Sequence, residues 1–255
     1  MKIYRFAHKG ETFYGVLQEE NLALVHGPLF GDFVVGPETL SIGEVSLLPP
    51  AEPSKIVAVG VNYRDHALER GRGLPEEPLL FLKPPSAVIG PNDIILYPKM
   101  SKRVDYEGEL ALVIKTTARN LDDGAPVEDH ILGYTCFNDV TARDLQDKDV
   151  QFTRAKSFDT FAAIGPCLVT DLDPADVKIK TFLNGKLRQS SSTKNLIFPV
   201  PFLVRHISRI MTLYPGDVIT TGTPAGIGPM QPGDKVDVQI EGIGTLSNTV
   251  MKVWE

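Results

Sequence analysis

The chain has 255 residues, 42% of them hydrophobic and 23% charged, with a formal net charge of −6. That balance suits a soluble globular protein with one large domain, or one plus a small appendage. It speaks against a nucleic-acid surface, because no basic run reverses the acidic excess. Membrane insertion is equally unsupported: no apolar stretch approaches the roughly 18 residues that span a bilayer, and Met1 to Phe6 lacks the apolar core of a signal peptide.

The first fifty residues alternate strand-like pieces with turns, at Lys2 to Phe6, Thr12 to Leu17 and Leu22 to Val25. Leu48-Pro49-Pro50-Ala51-Glu52-Pro53 resists regular pairing, because proline removes donors and fixes φ. It is the linker candidate between a small N-terminal β-rich domain over 1–52 and a larger domain over 53–255. Lys55 to Gly60 has the apolar run of a buried strand. Tyr63 to Arg70 reads as a short helix, with His66 and Glu69 sharing one face at a separation of three. A carboxylate beside an imidazole orients the ring and makes it a better general base toward water. Arg70 to Pro78 is polar and rich in Gly and Pro, and suits a mobile lid over 64–78 that carries this pair onto substrate.

Val104 to Ile114 predicts one strand, buried on both faces. Alternation puts Glu107 and Glu109 on the face of Ala111 and Val113, and Tyr106, Leu110, Leu112 and Ile114 on the other. Two like charges side by side at the entrance to such a segment cost free energy unless a cation sits between them. Ile131 to Phe137 is a second apolar segment. It closes on Asp139, and Thr141 to Asp144 reads as a helix start. Glu107, Glu109 and Asp139 offer oxygen ligands without His or Cys, a set that selects Mg²⁺ first, with Mn²⁺ or Ca²⁺ as alternatives. Positions remain for water and substrate.

Lys156 could donate to an oxygen that becomes negative during reaction. Lys83 and Arg143 carry a similar assignment as substrate contacts, or else pair with a carboxylate beside the metal. Cys136 and Cys167 sit in apolar settings and read as buried thiols in a reducing cytoplasm. Val177 to Leu183 alternates before Asn184-Gly185, which favours a type I′ hairpin. Val200 to Leu213 has helical spacing, with Phe202, Leu203, Ile207, Ile210 and Met211 as its apolar stripe. Pro215-Gly216-Asp217 and Pro232-Gly233-Asp234 are turns that feed strands at Val218 to Thr221 and Lys235 to Ile240. Thr220 to Gly228 supplies glycines, hydroxyls and backbone N–H groups suited to a substrate carboxylate, with Thr223 as the chosen contact. It lacks the Gly-Lys-Ser/Thr ending of a Walker A loop. Strands outnumber helices without regular βαβ alternation, so the class is α+β and β-rich rather than a Rossmann or barrel fold.

Six blocks of the sequence resemble the fumarylacetoacetate hydrolase family. They are Val59-Gly60-Val61-Asn62-Tyr63-Arg64-Asp65-His66, Phe81-Leu82-Lys83-Pro84, Asp105-Tyr106-Glu107-Gly108-Glu109-Leu110, Asn138-Asp139-Val140-Thr141-Ala142-Arg143-Asp144, Lys156-Ser157-Phe158-Asp159, and Thr221 to Gly228. They occur in the family's order and cover about Pro53 to Glu255. The resemblance implies a mixed β-sheet roll, Mg²⁺ or Mn²⁺ held by the two Glu and one Asp, a homodimer, and a 2-oxo acid substrate with a second carbonyl. It also implies that His66 and Glu69 activate water and that Lys156 is catalytic. The expected reaction is C–C hydrolysis of an acylpyruvate. Oxaloacetate decarboxylation and a hydroxymuconate-type isomerisation are open to the same chemistry, and a catalytically silent metal-binding protein is the alternative of another class. Fumarylacetoacetate hydrolases proper carry a longer N-terminal domain than this chain, which turns the expectation away from tyrosine catabolism.

Overall fold

The computed structural model of the chain describes residues 1–69, 71 and 73–252. Three mixed or antiparallel sheets carry the architecture, as the β-rich composition predicts. The largest, twelve-stranded among the described residues, runs in the order Val34–Ser41, Asn21–His26, Glu11–Gln18, Lys2–His8, Ala162–Val169, Ile131–Asp139, Gly108–Ile114, Val218–Thr220, Ile56–Gly60 and Leu79–Lys83. Two short strands, Ser46–Leu47 and Val88–Ile89, flank this path. Most pairs are antiparallel, while Val218–Thr220 runs parallel to Ile56–Gly60. The N-terminal strands extend the same sheet, because Lys2 and Ile3 pair with Val169 and Leu168.

A five-stranded sheet, Lys186–Ser192, Lys178–Leu183, Lys235–Ile240, Gly244–Lys252 and Ile94–Tyr97, packs on one face of the large one. Leu110, Leu112 and Ile114 enter a core there with Ile179, Val238, Ile240 and Leu246. Ala111 and Val113 enter a different core with Ile3, Ile164 and Val218. This is the two-sided burial that alternation predicts, and it puts Glu109 on the Ala111 side. Both cysteines are free and buried, and no helix among the described residues is long and apolar enough to cross a membrane.

The sequence predicts one continuous strand from Val104 to Ile114, and the structure corrects this. Val104–Tyr106 belongs to a three-stranded sheet with Thr141–Ala142 and Gly228–Met230, whereas Gly108–Ile114 belongs to the large sheet. Glu107 is the switch between them. Gly108 permits the crossing, since a Cβ there would lie 2.2 Å from Thr181 Oγ1. Gly108→Ala is expected to cost about 1–3 kcal/mol in chemical denaturation, the usual cost of overpacking.

Other boundaries also differ from expectation. The strand Val34–Ser41 escapes a pattern reading because Gly36 and Pro37 interrupt it, and it lies at the sheet edge, where proline is tolerated. The C-terminal helix spans Val200–Ile210 and buries Val200, Leu203, Val204 and Ile207. Phe202 and Ile210, expected in its apolar stripe, are exposed, because the buried i, i+3, i+4, i+7 face passes between them. Thr141–Ala142 is a strand, and the helix begins only at Arg143. Asn184 and Gly185 have φ of 51° and 74°, as a type I′ hairpin requires.

Candidate active site

Strand register brings the three carboxylates together. Gly108 pairs with Asn138 and Glu109 with Phe137, so Glu107 falls opposite Asp139, whose N–H donates to the Glu107 carbonyl at 2.9 Å. Opposed residues of an antiparallel pair point to one face, and so do residues two apart. Glu107, Glu109 and Asp139 therefore converge although 32 residues separate the first from the last in sequence. One oxygen of each lies within 4.8 Å of the others, and all three residues are buried.

Two lysines and an arginine balance part of this charge. Lys156 Nζ donates to Asp139 Oδ2 at 2.5 Å and to Glu107 Oε2 at 2.9 Å. Lys83 Nζ donates to Asp139 Oδ1 at 2.5 Å and to the Val140 carbonyl at 3.2 Å. Arg143 donates through Nη2 to Glu107, and through Nε to Asp105 Oδ2 at 2.9 Å. Burial raises the Glu107 carboxyl, but the charges of Lys156 and Arg143 outweigh it and hold Glu107 well below the usual carboxylate range. Glu109 goes the other way: burial, then the charges of Asp139 and Glu107, push its carboxyl well up, against the weaker pull of Lys156. Its Oε2 accepts from the Gly222 N–H at 2.9 Å. Burial also lowers Lys83 despite Asp139, while Asp139 and Glu107 keep Lys156 raised against its own burial.

This donor set fits a hard divalent cation. It is all oxygen, compact, and carries one carboxylate whose ionisation its neighbours oppose, which a bound cation would relieve. Glu107, Glu109 and Asp139 would hold Mg²⁺ or Mn²⁺.

The triad forms part of a cavity of about 310 Å³ that His66, Arg143, Lys156 and Thr223 also line. Helix Arg64–Glu69 brings in His66, which is 6% exposed. Its Nδ1 lies 3.0 Å from Glu69 Oε2, and Glu69 Oε1 accepts from the Gly226 N–H at 3.0 Å. With Nδ1–H donating to Glu69, Nε2 keeps the free lone pair. The helix is tied down by Arg64, which donates to the Leu196 carbonyl, and by Asp65, which accepts from Ser191. Arg70 and Arg72 of the expected lid lie outside the described residues.

Two expected substrate contacts are placed differently. Lys83 does not line the cavity: it stands fully buried behind Asp139. Thr223 does line it, yet its hydroxyl already donates to the Gly108 carbonyl at 2.9 Å and accepts from Gln189 at 2.8 Å. Sequence reading gave no role to Asp105, a fully buried carboxylate that holds both Arg103 and Arg143. The signal for it was an arginine expected inside a protein, which needs a carboxylate partner. Gln146, one helical turn after Arg143, bonds it and could have been found by its i+3 spacing. Leu79, Phe81 and Phe152 also wall the cavity; Phe81 and Phe152 meet edge to face at 5.6 Å.

Comparison with known proteins agrees with this architecture. Residues 55–251 match the model of the fumarylacetoacetate (FAA) hydrolase C-terminal family, and residues 1–50 match an Rv2993c-like N-terminal model. The chain is 44% identical over 225 residues to the oxaloacetate tautomerase YisK of Bacillus subtilis, covering 82% of this chain and 76% of that one. A 5-carboxymethyl-2-hydroxymuconate delta-isomerase from Mycobacterium smegmatis superposes with a TM-score of 0.93 at 42% identity, over 99% of this chain and 100% of that one. A maleylpyruvate hydrolase from Sphingobium, solved with manganese(II) and pyruvate, superposes with a TM-score of 0.82 at 29% identity, over 100% of both chains. On the sequence blocks, the sheet topology and these matches together, the chain belongs to the fumarylacetoacetate hydrolase family of enzymes.

Proposed function

We propose that this enzyme moves a proton between carbon and oxygen of a small dianionic 2-oxo acid, and that it interconverts the keto and enol forms of oxaloacetate. The carrying observation is that His66, buried and oriented by Glu69, shares one cavity of about 310 Å³ with the carboxylate triad. A divalent cation held by Glu107, Glu109 and Asp139 would supply Lewis acidity toward the 2-oxo group. His66 Nε2 is the nitrogen free to take a proton from C3. The Lys156 ammonium, kept charged by Asp139 and Glu107, lines the same cavity and would donate to an oxygen that gains negative character. Leu79, Phe81 and Phe152 add apolar wall to the cavity.

Charge supports an anionic substrate. The three carboxylates are paired with Lys83, Lys156 and Arg143, so a divalent cation would add positive charge at the triad that the carboxylates of oxaloacetate would offset. Tautomerisation of this diacid is also the activity named for the Bacillus subtilis relative.

The test follows decay of enol-oxaloacetate by ultraviolet absorbance with Mg²⁺, with Mn²⁺ and with chelator, while pyruvate is measured in parallel. Metal-dependent acceleration without pyruvate supports the tautomerase, and no acceleration overturns it. Pyruvate from oxaloacetate would instead mark a decarboxylase.

The His66–Glu69 contact favours one second reading. The same pair is built to activate water, which would make the enzyme a hydrolase that splits acylpyruvates into pyruvate and a carboxylic acid. Pyruvate release from acetylpyruvate reads that activity directly.

A further inference from the structure

A line of hydrogen bonds runs from the metal-site segment to the base. Tyr106 immediately precedes Glu107. Its ring lies in the core formed with Val104, Val140 and Met230, and it is 3% exposed. Its hydroxyl leaves that core to donate to the Gly226 carbonyl at 2.9 Å. The Gly226 N–H donates to Glu69 Oε1 at 3.0 Å, and Glu69 Oε2 faces His66 Nδ1 at 3.0 Å. Tyr106 also pairs with Gly228 in the short sheet, so the end of the glycine-rich loop is registered against it. Gly226 has a φ of +96°, and a Cβ there would lie 2.2 Å from the Arg188 carbonyl oxygen. The loop backbone thus passes close to the Arg188 backbone and is bonded by the phenol.

We propose that Tyr106 is a positioning residue: through its bond to the Gly226 carbonyl it holds the Gly226 N–H toward Glu69, and so fixes the orientation and tautomer of His66 relative to the carboxylate floor. Two observations carry this. The phenol is a buried donor whose bond leads away from the core and toward the dyad. Glu69 is 39% exposed in its side chain, so without the Gly226 N–H one of its oxygens would turn to water. Because Tyr106 adjoins Glu107, the same short strand sets the first carboxylate and the base's support together.

The inference rests on His66 acting as base, and its test separates the two claims. In Tyr106→Phe, kcat is expected to fall about five- to tenfold, the effect of one lost orienting hydrogen bond, with KM and Mg²⁺ affinity unchanged. ¹⁵N-labelled histidine NMR reads the tautomer without turnover: the His66 signal should be a single Nδ1–H form in the native protein and a mixture in Tyr106→Phe. A Glu69→Ala background should erase the kinetic effect of Tyr106→Phe, because a residue acting through Glu69 adds nothing once Glu69 is gone. An unchanged tautomer in Tyr106→Phe, or losses that add fully in the double variant, overturns the positioning role. If His66→Ala retains activity while the tautomer still responds to Tyr106→Phe, the coupling stands and the choice of base fails.

Discussion

Asp139→Asn is expected to destabilise the protein and abolish metal-dependent turnover, while Glu109→Gln abolishes turnover and stabilises the metal-free protein. The opposite signs follow from where the cations lie. Asp139 accepts from both Lys83 and Lys156, each fully or almost fully buried. Removing its charge takes from Lys83 the carboxylate it pairs with among the described residues, and breaking a buried pair in this way costs about 3–5 kcal/mol. Glu109 instead suffers burial and the repulsion of Asp139 and Glu107, which raise its carboxyl above 4.5. A group raised in the folded state contributes its full stability below its unfolded pKa and loses it as pH rises toward the folded value. Metal-free native protein should therefore lose this contribution as pH rises above 4.5, and Glu109→Gln should not. Urea denaturation in chelator at several pH values measures both effects. Added Mg²⁺ should raise the midpoint of the native protein with the logarithm of its free concentration above the dissociation constant, and leave both variants unmoved. A Glu109→Gln protein less stable than native at neutral pH would remove the claim of repulsion.

His66→Ala should lower kcat by about 10²–10⁴, the usual contribution of a positioned general base. Its fold and metal affinity should survive, since among the described residues the ring bonds Glu69 and the carboxylates are supported by other residues. Mg²⁺ calorimetry and thermal unfolding check the intact floor, and the enol-oxaloacetate assay checks the rate. Glu69→Gln should cost less than His66→Ala, because its amide oxygen can still accept from Nδ1–H and orient the ring. Equal losses for the two variants would assign Glu69 more than orientation.

Much of the local structure was legible in the residues. Alternation in Gly108–Ile114 correctly separated Leu110, Leu112 and Ile114 from Ala111 and Val113, because a strand has a rigid period of two. Asn184-Gly185 announced its hairpin, because few residue pairs accept two positive φ values. The spacing of His66 and Glu69 announced their contact, because positions three apart in a helix are neighbours. The break at Glu107 was not legible. It depends on Gly108 passing Thr181, a residue of another sheet, and no local pattern encodes such an approach.

What the sequence by itself determined was the chemical inventory and its local geometry: three carboxylates at the ends of apolar segments, a histidine with its acid, and several basic residues near them in the chain. Each follows from residue type and short-range periodicity. The tertiary structure alone decided which cation meets which carboxylate. Lys83 reaches Asp139 across 56 positions and Lys156 reaches Glu107 across 49, so Lys83 lies behind the floor while Lys156 lines the cavity. Those distances close only when strand pairing and burial place separate segments side by side. Burial pushes both Glu107 and Glu109 up; the charges of Lys156 and Arg143 reverse that at Glu107, while those of Asp139 and Glu107 add to it at Glu109.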